Sequence, residues 1–254
     1  MSWHAQQYSI FEAQRTRPVR DLIAAIPTAA VHHAIDLGCG PGNSTEILAQ
    51  RFPHARISGL DSAADMLHAA RERLPQLSFQ AGDIGQWQAA QPLEVILANA
   101  SLQWLPDHDQ LYPRLVAQLA AGGTLAVQTP DNLQEPAHRL LRKVAGNGPW
   151  AARFAGFSLP PRHDAAFYYR LLRPLCQQVD VWRTTYHHPL AGGIGAVVEW
   201  FKGSALGPYL SQLDEPQAEA FLAQYHAELA SAYEVLPDGS VLLPFPRLFV
   251  IAQR

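Results

Sequence analysis

The stretch Ala34-Ile35-Asp36-Leu37-Gly38-Cys39-Gly40-Pro41-Gly42-Asn43-Ser44-Thr45 decides the fold. An apolar run ends in a glycine-rich turn, and Asn43 opens a predicted helix. Closely spaced glycines at a strand end let the backbone approach a ligand without side-chain obstruction. A second short run, Ile57-Ser58-Gly59-Leu60, ends on Asp61. An acidic residue at that strand tip is placed to accept hydrogen bonds from a ribose diol. The two runs together point to a nucleotide-like cofactor.

Glycine spacing selects among nucleotides. The dinucleotide fingerprint needs glycine at its first, third and sixth positions. Here Gly38, Gly40 and Gly42 fall at the first, third and fifth, and the sixth position is Asn43. The phosphate-cradling loop ending in Gly-Lys-Ser/Thr is absent. The Asp36-x-Gly38-x-Gly40-x-Gly42 pattern instead resembles the cofactor loop of class I methyltransferases, which bind S-adenosylmethionine (SAM). That resemblance implies a ribose for Asp61 and no pyrophosphate, with Ser62 beside the same group. The competing reading is an ordinary strand-to-helix turn. Agreement of the glycines with Asp36 and Asp61 favours the cofactor.

Composition narrows the class. The 254 residues fit one α/β domain with insertions, and 48% hydrophobic with 16% charged residues is the balance of a soluble globular protein. A net charge of −3 and a pI of about 6.4 give no electrostatic footprint for nucleic acid or an anionic membrane. Cys39 and Cys176 cannot build a disulfide framework, so a reducing cytoplasm is expected. The polar N-terminus lacks a signal-peptide core, and no apolar run is long enough to span a bilayer.

Working outward, Gln7 to Ile26 reads as an N-terminal helix stopped by Pro27. Strands are expected near 31–37, 56–61, 77–81, 93–98 and 124–129. Helices are expected over Asn43–Arg51, Ala63–Leu74 and Asp109–Leu119, with a turn at Gly122-Gly123. This alternation predicts an α/β fold, a doubly wound Rossmann-like methyltransferase sheet with ligands at the carboxyl ends of its strands. After Pro130 the rhythm changes. A helix over Glu135–Ala145, a strand near 179–187, a mostly helical stretch at 194–234 and a strand near 241–252 follow. Residues 134–178 and 189–237 are read as helical insertions forming a cap over the active site of one domain, 1–254.

Gly82-Asp83-Ile84 closes the third strand. In class I methyltransferases an acidic residue here meets the adenine amino group and its neighbour packs on the ring; a turn-forming Gly-Asp pair is the alternative. Asn99, with Ser101-Leu102-Gln103-Trp104, ends the fourth strand, where that class presents cofactor and acceptor to each other. The Asn-Pro-Pro-Tyr type of motif of some base-amino methyltransferases is missing, which disfavours nucleic acid. Trp104 reads equally as core or as acceptor-pocket lining.

The whole chain resembles the bacterial trans-aconitate 2-methyltransferase family. The matching segments are Gln7-Tyr8 with Arg15-Thr16-Arg17-Pro18, Asp36 to Thr45, Asn99 with Gln103-Trp104-Leu105-Pro106, and Pro130-Asp131-Asn132-Leu133. Later come Thr184-Thr185-Tyr186 with His188-Pro189-Leu190, Val198-Glu199-Trp200 with Lys202-Gly203, and Phe245-Pro246-Arg247-Leu248-Phe249. Ser9-Ile10-Phe11 departs from the pattern, where a lysine is expected before the Phe. The resemblance implies SAM-dependent monomethyl esterification of trans-aconitate, a small unsaturated tricarboxylate, leaving S-adenosylhomocysteine. It also implies Arg15 at the cofactor and Tyr8 at the acceptor.

That chemistry agrees with the residues. A carboxylate is already ionised at neutral pH and needs no general base, so no catalytic residue is assigned; alignment and desolvation suffice. The remaining carboxylates need cationic or hydrogen-bonding partners. Candidates are Arg247, Lys202, His188, Tyr186 and Tyr209, then Arg183 and Arg15 or Arg17 of the N-terminal helix, with Gln103 and Trp104 at the acceptor. Each has a plainer reading: Arg247 as a solvent-facing strand residue, Lys202 as the cation at a helix end, His188 as core. Asp107-His108-Asp109 reads as a helix start, and no His/Cys cluster has zinc spacing, so no metal is expected. A methyltransferase for another small acid or a phenol, or a non-catalytic SAM-binding protein, remains as the alternative. No nucleic acid, membrane or obligate protein partner is expected.

Overall fold

The computed structural model describes residues 12–157 and 162–254. Seven strands make one sheet: β1 His33–Leu37, β2 Arg56–Asp61, β3 Ser78–Ala81, β4 Leu93–Asn99, β5 Leu119–Pro130, β6 Gln178–Ala191 and β7 Ser240–Gln253. Their order is β3-β2-β1-β4-β5-β7-β6. β1 to β5 pair in parallel and β7 runs antiparallel to β5. The central strands are nearly continuous apolar runs buried on both faces, as parallel strands covered by helices must be. Strand order reverses between β1 and β4, so the ligand crevice of such a sheet lies at their carboxyl ends. The expected doubly wound, Rossmann-like sheet is present. The antiparallel β7 between β5 and β6 sets it apart from the six-stranded 3-2-1-4-5-6 dinucleotide order.

The helices are α1 Glu12–Ala24, α2 Asn43–Arg51, α3 Ala64–Arg73, α4 His108–Ala117, α5 Pro136–Asn147, α6 Ala165–Leu172, α7 Gly193–Lys202, α8 Gly207–Leu210 and α9 Glu215–Ala232. The helix over 43–51 and the strand over 56–61 have the expected bounds. Two expectations need correction. The Gly122-Gly123 turn lies inside β5: the β4–β5 register shifts between Leu93 and Val95, and Gly122, at φ 75°, takes up the bulge. The helix expected to run to Ile26 ends at Ala24.

Two compact units emerge. One holds residues 12–130, 162–184 and 247–254, with the sheet; the other holds 131–157 and 185–246 and is largely helical. The expected insertion over 134–178 is therefore divided. α6 belongs with the sheet because Tyr168 and Leu172 pack into a core with Leu111, Tyr112, Leu115 and Val250. The helical unit has its own core, in which Trp150, Phe154, Tyr209 and Phe221 form an aromatic cluster. Two of its buried polar atoms bond locally: Trp150 Nε1 donates to the Val144 carbonyl and the Tyr225 hydroxyl to that of Ala137. No helix among the described residues is long and apolar enough to cross a membrane.

Phe221 is fully buried, 5.1 Å from the Trp150 ring by centroids. Phe221→Ala should cost about 3–5 kcal/mol in chemical denaturation, the usual range for a buried aromatic truncated to Ala. A loss below about 1 kcal/mol would remove this cluster as the unit's core.

Candidate functional site

The loop after β1 is built on left-handed glycines: Gly38, Gly40 and Gly42 have φ of 76°, 54° and 90°. A Cβ at Gly38 would stand 2.3 Å from that of Ser101, whose Oγ donates to the Leu37 carbonyl at 2.6 Å. The loops after β1 and β4 are thereby sealed together. The Gly40 amide donates to Asp61 Oδ2 at 2.8 Å and the Ala63 amide to Oδ1 at 2.9 Å. Asp61 thus shapes the loop, a role the spacing did not reveal. Each of its oxygens has a further lone pair for a diol, and the carboxylate is only half-buried. Beyond Gly40 the space a Cβ would enter is open.

Asp36 is completely buried. Its Oδ2 accepts from Ser44 Oγ at 2.6 Å and Thr45 Oγ1 at 2.7 Å, while Oδ1 has no hydrogen-bond partner. Burial raises its pKa from 3.8 to about 6, against the pull of the two hydroxyls and with a small push from Asp61. Asn43, the buried first residue of α2, follows the same loop. A buried carboxylate with one unpartnered oxygen beside an open glycine loop fits a nucleoside whose amino-acid tail carries an ammonium.

At the ends of β2 and β3, Ser62 and Asp83 are exposed. Asp83 Oδ1 accepts from the Gly85 amide at 2.8 Å, so the residue also makes the turn. Ile84 is half-buried against the core, and Arg114 holds its carbonyl and that of Trp87, both at 2.8 Å.

The β4 end carries the strain. Ala100 has φ 53°, a left-handed conformation costing about 1–2 kcal/mol for a residue with a Cβ. The buried Gln103 stabilises it, Nε2 donating to the Ala100 carbonyl at 2.7 Å, while Gln103 Oε1 and Asn99 Oδ1 have no partner. Arg162 donates to the Gln103 carbonyl at 2.8 Å and lies over the half-buried Trp104 ring at 5.8 Å. His108, at the start of α4 as expected, bridges the Tyr168 hydroxyl at 2.8 Å and the Leu102 carbonyl at 2.9 Å. Burial holds its pKa below the ordinary value. Arg162 and the His108 contact to the Leu102 carbonyl escaped the sequence reading because bonds to backbone carbonyls leave no residue signature.

Arg247 lies opposite Pro130, at the carboxyl end of β5, and is 5% exposed. The solvent-facing reading therefore fails. Its Nη1 donates to Gln128 Oε1 at 3.4 Å. In the helical unit, Tyr186, His188 and Tyr209 are buried. His188 stacks on Trp200 at 4.8 Å, with Phe245 at 5.8 Å and Tyr186 parallel at 6.4 Å. Tyr209 sits among Phe154, Phe157 and Phe221, where burial raises its pKa. Lys202 takes the helix-end reading: it is exposed, its Nζ 2.6 Å from Glu199 Oε1. Tyr8 and the side chain of Arg15 lie outside the described residues. Among the described residues, no group of His, Cys, Asp and Glu is arranged to hold a metal.

Because Asp36 titrates near 6 when folded and at 3.8 when not, folding binds a proton between those values. The stability this adds is complete below pH 3.8 and is lost as pH rises through 6. Asp36→Asn keeps an acceptor for both hydroxyls without the charge. The ligand-free variant should exceed the parent by up to about 3 kcal/mol at pH 8 and match it near pH 4. Urea denaturation at both pH values measures this; an equal difference at the two would contradict the buried charge.

Residues 34–123 match a family model described as a methyltransferase domain. The chain is 48% identical over 256 residues to the trans-aconitate 2-methyltransferase of Rhizobium etli, covering 100% of both chains. It is 52% identical over 255 residues to that of Methylobacterium nodulans, covering 99% of this chain and 98% of the relative. Among solved structures, the YcgJ protein from Bacillus subtilis is similar at TM-score 0.58 and 10% identity, over 93% of this chain and 97% of that one. Coclaurine N-methyltransferase bound to N-methylheliamine and SAH is similar at TM-score 0.54 and 13% identity, over 94% and 72%. These two share the fold. Identity near one half over the full length of both chains shows more: this chain belongs to the trans-aconitate 2-methyltransferase family.

Proposed function

We propose that the protein uses SAM to esterify one carboxylate of trans-aconitate, giving its monomethyl ester and S-adenosylhomocysteine. The observation that carries this reading is the full-length identity to relatives that bear that name. The buried Arg247 at the carboxyl edge of the sheet supports an anionic acceptor, since a guanidinium fork takes a carboxylate bidentately. A phenol would need no such group. In this reading the protein works in the cytoplasm on a small acid, with no nucleic acid or protein partner required.

When bound, SAM supplies an electrophilic methyl carbon on a sulfonium. The chain's own residues place and enclose the reactants. Asp61 would hold the ribose while its amide bonds keep the glycine loop in shape. Asp36 Oδ1 would take the ammonium of the amino-acid tail. Asp83 and Ile84 would flank the adenine, and Gly38, Gly40, Asn43, Ser62 and Asn99 would complete the cradle, with Arg15, whose side chain lies outside the described residues, as the remaining candidate. The acceptor carboxylate is ionised at neutral pH, so no side chain has to remove a proton. Arg247, with Gln103 and Trp104, fixes the acceptor, and alignment of this kind is worth up to roughly 10 kcal/mol. Tyr186, His188 and Tyr209 belong to the buried interior of the helical unit. Lys202 is already engaged by Glu199. Water exclusion favours a step in which two opposite charges are neutralised.

Arg247→Met keeps length and apolar bulk but removes the donors. SAM affinity by calorimetry should be unchanged, while kcat/KM for trans-aconitate should fall by an amount corresponding to about 2–5 kcal/mol. The parent protein should prefer trans-aconitate strongly over monocarboxylic acids and phenols. A change below about tenfold, near 1.4 kcal/mol, would remove Arg247 from the acceptor site. Equal kcat/KM for a phenol would overturn the tricarboxylate reading itself.

A further inference from the structure

Gln128 is 1% exposed, near the end of β5. Its Cα pairs with Asn99 in β4 and with Phe249 in β7. Directly paired residues share a face of the sheet, as do residues two apart along a strand. Asp36 pairs with Leu97, two residues before Asn99, and Arg247 is two residues before Phe249. Asp36, Asn99, Gln128 and Arg247 therefore lie on one face, across β1, β4, β5 and β7 at their ligand-facing end. Such a row is an unusual use of central strands, which otherwise carry apolar residues on both faces.

The orphaned atoms in this row are ordered by chemistry. Asp36 Oδ1, an acceptor without a donor, stands at the β1 end. Gln128 Nε2, a donor without an acceptor, is on β5, the strand beside β7. The Arg247 Nη1 bond to Oε1 fixes which end of the Gln128 amide is oxygen, since a guanidinium can only donate. Nε2 is thus left as a buried pair of N–H donors. Buried polar groups are nearly always hydrogen-bonded, and one left open asks for a ligand atom. An acceptor for two N–H groups beside a guanidinium is an oxyanion.

We propose that Gln128 is a specificity-determining residue of the acceptor site. Its Oε1 orients the Arg247 guanidinium, and its Nε2 donates to the same acceptor carboxylate that Arg247 holds, one that is not methylated. The assignment rests on the acceptor reading of Arg247 above. Amide chemistry suits this position better than a carboxylate. Glu would place a fixed negative charge against the incoming anion, and Leu would remove a donor to the oxyanion and an acceptor for Arg247 Nη1.

The test is steady-state kinetics of the full chain with SAM and trans-aconitate for Gln128→Glu, Gln128→Leu, Arg247→Met and the Leu/Met double variant. KM for trans-aconitate should rise at least tenfold in Gln128→Leu and further in Gln128→Glu, with kcat changed less and SAM affinity by calorimetry within twofold. The double variant should be no worse than Arg247→Met alone, since both groups serve one carboxylate. A dicarboxylic analogue lacking that carboxylate should show no penalty in Gln128→Leu. SAM affinity reports folding, and Gln128→Met replaces any variant that fails to bind it. Unchanged KM in the Gln128 variants, or losses that multiply in the double variant, would overturn the role of Gln128 while leaving the reaction intact. A parent protein that methylates none of these acids would overturn the acceptor reading and this role with it.

Discussion

A Cβ at position 38 would stand 2.3 Å from the Ser101 Cβ, so the loops after β1 and β4 close on each other only over glycine. The rest of the site follows from that approach. It brings the Ser101 hydroxyl onto the Leu37 carbonyl and places the left-handed Ala100 beside the mouth of the loop. It also sets the glycine backbone close enough to β2 for Asp61 to take the Gly40 amide. The strain stored at Ala100 is held by Gln103 from within the turn, and by Arg162 and His108 from outside it. Strained backbone that several independent hydrogen bonds over-determine is characteristic of functional sites.

A second theme is the incomplete satisfaction of buried polar groups. Three members of the polar row, Asp36, Asn99 and Gln128, each keep one buried side-chain atom without a hydrogen-bond partner. Asp36 goes furthest, because its burial raises the cost of its own charge. A folded core tolerates such groups rarely. These three lie at the carboxyl edge of β1, β4 and β5, where an open α/β sheet takes its ligands, and they suit a surface that receives charged groups. In the aromatic core of the helical unit, Trp150 and Tyr225 bond to nearby carbonyls.

The legible part of this structure was local. Glycines 38, 40 and 42, the helix over 43–51 and the carboxylate ending β2 are written in contiguous residues, and the structure places them as read. Features created by tertiary approach were not legible. Asp61 as the loop's own hydrogen-bond acceptor, Gln128 beneath Arg247, and Arg162 reaching a carbonyl 59 residues away have no spacing signal. Turn chemistry misled once, since a glycine pair serves a bulge inside a strand as readily as a turn between elements. The apolar face of α6 gave no sign of which core it would join; Tyr168 and Leu172 settled that by packing with the sheet. Lys202 shows the limit of reading a cation from sequence, because a glutamate one helical turn away is partner enough.

Methyl transfer onto a carboxylate oxygen of a small polyacid is the reaction proposed for this site. Mass spectrometry of the products formed from methyl-labelled SAM and a panel of carboxylic acids tests it most directly. The expected product is a single labelled monomethyl ester of trans-aconitate, hydrolysed by mild base and dominant over every other acid. Label found on a phenol or an amine, or no labelled product from any acid by a protein that binds SAM, would contradict it.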